Sequence, residues 1–468
     1  MGGVARGAPG RPSGPLPGMS VRSAVTAFAS GLLRIFFRRI EVAGLSRFPM
    51  EGPTLVVLNH PNGLVDPVVL LCFSPRPVSF VAKAPLFDMP VVGWFTRALD
   101  SIPVWRREDE GAASDRTRQT LAEAQKLLAR GGVLGLFPEG TSHDDPRMKP
   151  LKSGAARIAL ATAAGLAREG HPPLRIVPAG LFFTDKSAFR SGVLLVFGEP
   201  FLVEPAGMEE RLDAEAVRAL TRRIGAALDG VTLQADRDEA LSLAAWAEEL
   251  LGNASPRLRE QALEEEFALR RRLLQGYAEL KERKPKEVAR LAERIVRLEA
   301  WTRALGLDPK ALDPAALSPG RVLRAAGSTL GLALFFLPLT VPGILLHFPA
   351  YETTGRVAHR YAKGDQSLVA TTRALASLLF FPVTWGMVAW GAWLWAGPWA
   401  ALASLVLVPW CGWLALRLVE RIDEVAAALR ALAALAFRRR LFLRVVAERR
   451  AIREAILRLA EEARLGNA

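Results

Sequence analysis

Residues 325–348, 374–396 and 399–416 contain no charged side chain. Each run meets or approaches the roughly 20 apolar residues that a helix needs to cross a bilayer. Hydrocarbon offers the backbone no hydrogen-bond partners, so such runs must satisfy themselves as helices. Tryptophans 385, 390, 393, 395, 399, 410 and 413 crowd the second and third runs, as expected near lipid interfaces. The pattern predicts hydrophobic membrane segments over 321–418. The remainder of the chain must bury a core of its own in water.

Charge bears on how those segments are threaded. The connection 350–366 carries Arg356, Arg360 and Lys363, and the tail after Arg417 includes Arg438, Arg439 and Arg440. Both basic segments favour the cytosolic side. Three full crossings would separate them. The first run is interrupted by Pro338 and Pro342, so it is expected to be re-entrant, with the last two runs forming a spanning hairpin. Residues 419–468 then read as a basic amphipathic helix on the membrane surface.

Across its 468 residues the chain has 61 Lys and Arg against 47 Asp and Glu, a net charge of +14. Such a balance suits nucleic acid, an acidic lipid surface or a phosphorylated substrate. The uncharged runs argue against nucleic acid. Cys72 and Cys411 stand far apart in apolar surroundings and suggest no disulfide framework. The five histidines form no His-x-x-His or His-Glu-x-x-His pattern, so no metal site is expected.

The N-terminal half divides by composition. Residues 1–18 are rich in Gly, Pro, Arg and Ser and are expected to be disordered. In 19–40 the apolar run is broken by Arg22, Arg34, Arg38 and Arg39. It reads as an interfacial membrane helix with Phe28, Leu32, Leu33, Phe36 and Phe37 toward lipid. The alternative is an amphipathic helix packed on the following domain. Over 41–205, short apolar runs at 54–58, 78–81, 102–105, 133–137, 174–178, 181–183 and 193–197 alternate with helical patterns at 114–130 and 153–168. That alternation predicts an α/β domain, a mostly parallel or mixed sheet flanked by helices. Residues 206–320 form a charged helical region, with patterns at 214–228 and 257–305 and Pro285 as a break; a helical hairpin or short coiled coil is expected there.

The chemistry-bearing residues stand at two strand ends. The run 54–58 stops at Asn59-His60-Pro61-Asn62-Gly63, and Asp66 follows His60 by six positions. An imidazole beside a carboxylate is the minimum equipment for drawing a proton off an alcohol. The run 133–137 ends in Phe137-Pro138-Glu139-Gly140-Thr141-Ser142. Groups beyond strand ends in such sheets gather in one place, so His60 and Glu139 are expected to converge.

Together these two blocks resemble the phospholipid and glycerol acyltransferase family, whose first motif is NH-x-x-x-x-D-like and whose third is FPEGT(S/R). Five residues separate His60 from Asp66 where the family usually has four. No regular helix puts either spacing on one face, so the pair must rely on the turn at Pro61-Asn62-Gly63. The resemblance implies His60 as base and Asp66 as its orienting partner. Lys83, after Phe80-Val81-Ala82, and Arg106, after Ile102-Pro103-Val104-Trp105, resemble the second block, which binds the acceptor phosphate. Arg107 is an adjacent substitute. Glu139, Gly140 and Thr141 fall in the acceptor-binding motif, Lys152-Ser153-Gly154 resembles the KxG that follows, and Val177-Pro178-Ala179-Gly180 the acyl-end motif. The family implies no metal and no bound organic cofactor, with acyl-CoA or acyl-carrier protein as co-substrate. The implied function is membrane-bound acyl transfer to glycerol 3-phosphate or 1-acylglycerol 3-phosphate in phospholipid synthesis, at the cytoplasmic face of a bacterial-type inner membrane. The rivals are an acyltransferase for another lysolipid head group and an inactive membrane scaffold.

Overall fold

A computed structural model of the chain describes residues 21–88, 90–104, 113–143, 145–186, 188–205, 213–235, 238–252, 263–304, 306–307, 319–362 and 366–465. The expected disordered stretch 1–18 lies outside them. The order is α1 (Val21–Phe36), β1 (Arg39–Ala43), β2 (Thr54–Leu58), α2 (Val65–Phe73), β3 (Val78–Lys83), α3 (Pro90–Ala98), β4 (Ile102–Val104), α4 (Ala113–Ala129), β5 (Val133–Leu136), α5 (Gly154–Arg168), β6 (Arg175–Phe183), β7 (Gly192–Phe197) and β8 (Phe201–Leu202). Helices follow: α6 (Ala214–Asp229), α7 (Asp238–Gly252), α8 (Leu263–Arg283), α9 (Pro285–Ala304), α10 (Pro319–Ala362), α11 (Gln366–Ala396), α12 (Pro398–Phe437) and α13 (Arg439–Leu465).

The fold is the expected α/β architecture. One mixed sheet has the order β1-β7-β6-β2-β5-β3-β4, with β8 added against β6. β2 lies parallel between β5 and β6. All five of its residues are buried, which is why its sequence reads as an unbroken apolar run. The two apolar runs at 174–178 and 181–183 are one strand, β6, which pairs antiparallel with β7.

Three expectations change. The first concerns α1, which buries Val25, Ala29, Leu33 and Phe36 at helical spacing. Leu33, Phe36 and Phe37 join the core with Phe48, Leu181 and Phe197. They face protein rather than lipid, and each such burial is worth about 1.5–3 kcal/mol. Phe28 remains 54% exposed, so only the outer face of α1 is free for a membrane. The second concerns the charged region, which is not a separate hairpin. α6 and the start of α8 cover the sheet through Val217, Leu220, Ile224, Leu263 and Phe267.

The third concerns the tail. α12 runs unbroken from the apolar run through the charged residues to Phe437. α13 then folds back onto α7 and α9, placing Phe442, Val445, Ile452 and Ile456 against Ala247, Leu250, Ile295 and Leu298. Arg294 seals this second core with an ion pair to Glu448 at 2.6 Å. One face of α13 is therefore packed on protein, while Leu443 and Leu457 stay exposed on it.

α10, α11 and α12 are each long and apolar enough to cross a membrane. Large side chains along them face outward, among them Phe335, Leu345, Trp395, Trp399 and Val406. The first uncharged run stays helical throughout, with Pro338, Pro342 and Pro349 inside α10.

Candidate active site

The site is set by strand register. β2 and β5 are parallel neighbours with Val57 opposite Leu136, so the loops after them leave the same edge of the sheet side by side. Asn59 fixes the first loop. Its side-chain amide donates to Leu181 O at 3.1 Å, and its oxygen accepts from Leu181 N–H at 2.8 Å. His60 is thereby delivered between β5 and β6.

The chain turns through Pro61-Asn62-Gly63, with Gly63 at φ +52°, and α2 begins at Val65. Asp66 falls in the first turn of α2 and is fully buried. A carboxylate is favoured there by the helix dipole. Its Oδ2 meets His60 Nδ1 at 2.8 Å and accepts from Asn62 N–H at 2.7 Å. The turn absorbs the extra residue between His60 and Asp66, as the spacing required. Burial pushes the Asp66 carboxyl up from its ordinary value, against the opposing pull of His60 and of the Asn62 N–H.

With Nδ1 facing the carboxylate, Nδ1 carries the ring proton and Nε2 is left with a lone pair. Nε2 makes no hydrogen bond among the described residues. The ring stacks on Phe137, centroids 4.1 Å apart and planes 19° apart, and Phe137 stacks in turn on Phe80. Its side chain is 18% exposed. Position, tautomer and ring plane are thus all set by neighbours.

Glu139 is 2% exposed, and the protein uses both of its carboxylate oxygens. Oε1 accepts from His60 N–H at 3.0 Å, while Oε2 accepts from Lys149 N–H at 2.8 Å and pairs with His143 Nε2. The His143 N–H returns to His60 O at 3.3 Å. Glu139 therefore clasps the loop after β5 to the His60 loop. The geometry thus gives Glu139 a part in positioning the two loops that carry the site. His143, which adjoins the motif in sequence, is a member of this clasp and is not placed as a base.

Gly140 sits at φ +70°, and a Cβ there would lie 3.0 Å from Lys152 Nζ. A side chain would meet both backbone strain and that lysine. Lys152 N–H donates to Pro138 O at 2.8 Å, which places it over the motif at the start of α5. Thr141 Oγ1 donates to Ser142 O at 3.3 Å. Lys83 ends β3 opposite Val104 of the parallel strand β4, at the same edge as His60. Arg106 and Arg107 lie outside the described residues.

A cavity of about 170 Å³ opens beside His60 and Glu139. Lys186, Arg147 and Asp145 stand at its wall with Met148, Leu181 and Leu233, a charged and apolar lining. No motif marks these residues; β6, its following loop, the segment after Thr141 and the segment after α6 bring them together.

Known proteins share this arrangement's sequence. Residues 39–181 match the family model described as Acyltransferase, and residues 254–464 match the Glycerol-3-phosphate acyltransferase 2 C-terminal domain. Over 194 residues the chain is 31% identical to the 1-acyl-sn-glycerol-3-phosphate acyltransferase of Bacillus subtilis, covering 40% of this chain and 86% of that one. The chain belongs to this acyltransferase family. A longer match joins it to glycerol-3-phosphate O-acyltransferase 1 of Saccharomyces cerevisiae, 26% identical over 464 residues, 77% of this chain and 60% of that one. An uncharacterized acyltransferase of Schizosaccharomyces pombe is 25% identical over 458 residues, covering 76% and 66%. The chain thus spans no more than two thirds of the length of these yeast relatives. The acyltransferase C-terminal match takes in α8–α13 together, in keeping with the core that joins α9 to α13.

Proposed function

We propose that this protein transfers a fatty acyl group from a thioester, acyl-CoA or acyl-carrier protein, to a hydroxyl of glycerol 3-phosphate. The observation that carries the reading is the His60–Asp66 pair held beside the Glu139 clasp at one sheet edge. His60 Nε2 removes the acceptor proton as the oxygen attacks the thioester carbonyl. The new C–O bond forms, the tetrahedral intermediate collapses, and the C–S bond breaks. The imidazolium returns its proton to the departing thiolate. General-base help of this kind is worth typically ~10²–10⁴-fold.

Lys83 and Arg106 are assigned to the acceptor phosphate, since β3 and β4 end at the edge from which His60 emerges. Arg suits phosphate through its planar fork. Lys152, Gly140 and Thr141 complete the acceptor side. The C-terminal family match favours glycerol 3-phosphate over 1-acylglycerol 3-phosphate as acceptor. The catalytic domain is assigned to the cytoplasmic face of a bacterial-type inner membrane, in line with the basic ends of α10 and α12.

An acceptor panel with palmitoyl-CoA and protein-containing membranes tests this. Glycerol 3-phosphate should be acylated fastest, and His60→Ala should remove acylation. Undiminished transfer by His60→Ala, or preference for an acceptor without phosphate, would sink the reading.

A further inference from the structure

The segment between β6 and β7 meets the catalytic pair at one end and a membrane helix at the other. Near its start, Lys186 lines the His60 cavity. The Lys186 backbone oxygen accepts from the Asn62 side chain, inside the His60–Asp66 turn, at 3.4 Å. The Lys186 charge favours the Asp66 carboxylate and opposes the effect of burial. Glu139, His143, Asp145, Arg147 and Arg270 also line that cavity, but Lys186 alone belongs to this segment.

At its other end, Arg190 holds φ +68°. A residue other than glycine enters that region rarely and keeps it only where its surroundings fix it. The Arg190 N–H donates to Phe36 O at 2.8 Å. Its guanidinium reaches Arg34 O and Ile35 O at the end of α1, both at 3.4 Å. The same guanidinium forks onto Glu420 of α12, Nε to Oε1 at 2.6 Å and Nη2 to Oε2 at 3.5 Å. Glu420 stands just past Arg417, where the uncharged run of α12 gives way to charge. One turn later Glu424 pairs with Arg38 at 3.2 Å, and the Arg38 N–H donates to Ser191 O at 2.9 Å. That second pair is about half exposed and holds weakly. The Arg190–Glu420 pair, 14% and 21% exposed, is the fixed point. Toward α10 and α11 the segment borders a cavity of about 690 Å³, with Phe36, Phe189, Arg360 and Arg373 in its walls. Its firm attachment to the membrane helices is therefore on the α12 side.

We propose that Arg190 and Glu420 are positioning residues for the His60–Asp66 pair: α12 holds the segment between β6 and β7, and the segment holds Lys186 beside Asp66. The membrane hairpin thereby keeps one charge of the active site in place besides anchoring the chain. Loss of the Glu420 charge frees Arg190 from its strained backbone, the segment relaxes, and Lys186 withdraws. Withdrawal of a cation raises the pH at which a carboxylate and an imidazole each give up a proton. The acid limb of kcat therefore moves to higher pH, while kcat on the plateau stays. This pH signature rests on the acyl-transfer reading; the mechanical link between α12 and the His60 turn does not.

The test uses the full-length protein in dodecyl maltoside. In Glu420→Gln, hydrogen–deuterium exchange should quicken about fivefold or more over 188–191 and over 59–66, and stay as in wild type over α4 and α5. In thiol-release assays with palmitoyl-CoA and glycerol 3-phosphate, its acid limb should rise by about 0.5 pH unit, a loss of about threefold at low pH. A general loss of structure would instead lower kcat alike at every pH. Lys186→Met should show the same shift, and Glu420→Gln added to Lys186→Met should give no more. Unchanged exchange over 59–66 in Glu420→Gln, an acid limb where wild type has it, or additive shifts in the double variant would each overturn the proposal. If Glu420→Gln fails to fold, Lys186→Met decides alone, and an unshifted acid limb overturns the proposal. If the wild type transfers no acyl group, the proposed reaction fails and the exchange measurement decides the link by itself.

Discussion

Replacing Asp66 by Asn tests the charge in the pair without changing its shape. Asp66 Oδ2 serves both His60 Nδ1 and the Asn62 N–H, while Oδ1 has no partner among the described residues. The Asn62 N–H demands an acceptor, so the amide oxygen takes the Oδ2 place and the nitrogen the Oδ1 place. His60 then keeps its proton on Nδ1, and only the charge is lost. Unit charges about 4 Å apart attract by about 4 kcal/mol at an effective dielectric of 20. The imidazolium is only partly formed in the transition state, so about 3 kcal/mol is at stake. At 1.36 kcal/mol per decade that is a loss of about 10²-fold in kcat, with the acceptor KM unchanged. Thiol release from palmitoyl-CoA reads it directly. Stability carries a second signature. Burial raises the Asp66 pKa in the folded state, so its contribution is fully present below the unfolded value and is lost as pH rises through the folded one. The melting difference, variant minus wild type, should therefore increase between pH 4 and pH 8. Activity within threefold of wild type would refute the role of the charge. A loss near 10⁴-fold would refute the orientation, since it would mean a reversed amide and a changed ring tautomer.

Other outcomes follow from the same geometry. Glu139→Gln puts a donor against one of the N–H groups that Glu139 now accepts, from His60 or Lys149, at a cost of about 1–3 kcal/mol. It should lower the melting temperature by several degrees and kcat by about tenfold, and calorimetry with steady-state assays checks both. Burial pushes the Cys72 thiol up to about 12, so at pH 8 about one part in 10⁴ is thiolate. Maleimide should leave Cys72 unlabelled in the native protein and label it after denaturation, as intact-mass measurement will show.

Much of the site is legible in sequence because strand ends and their loops are local features. The apolar run before His60 and the one before Glu139 each declare a strand, and parallel pairing of β2 with β5 does the rest. What Glu139 does is not local. Its partners, His60 N–H, Lys149 N–H and His143, come from two loops, and no spacing rule foretells that both oxygens are taken. The same limit explains α1 and α13. A face of Leu33, Phe36 and Phe37, or of Phe442, Val445 and Ile452, has one pattern whether protein or lipid covers it. Only the sheet on one side, and α7 with α9 on the other, decides which. α2 was not anticipated because its apolar sequence, VDPVVLLCF, has little amphipathic contrast.

The membrane course of α10 can be argued from its neighbours. Only Gly397 joins α11 to α12, and the two helices pack along each other, so they form an antiparallel hairpin. From Arg373 to Ala396 and from Pro398 to Glu420 the helices run roughly 35 Å each, about one bilayer. Both far ends meet the catalytic domain: Arg373 shares the basic cavity with Phe36, and Glu420 pairs with Arg190 at 2.6 Å. α10 touches both arms in turn. Its first part lies on α12, where Arg421 donates to Thr329 at 3.1 Å. Its second part lies on α11, where Trp385 donates to His347 at 2.9 Å and Arg360 shares the cavity with Arg373. A helix antiparallel first to one arm of a hairpin and then to the other must reverse, and Pro338, Pro342 and Pro349 supply the bends. We infer a re-entrant α10 with both ends on the catalytic side. In a Cys411→Ser background, Tyr361→Cys and Phe437→Cys should react with a membrane-impermeant maleimide from one face, and Ala396→Cys from the other. Labelling of positions 361 and 437 from opposite faces would show that α10 crosses outright.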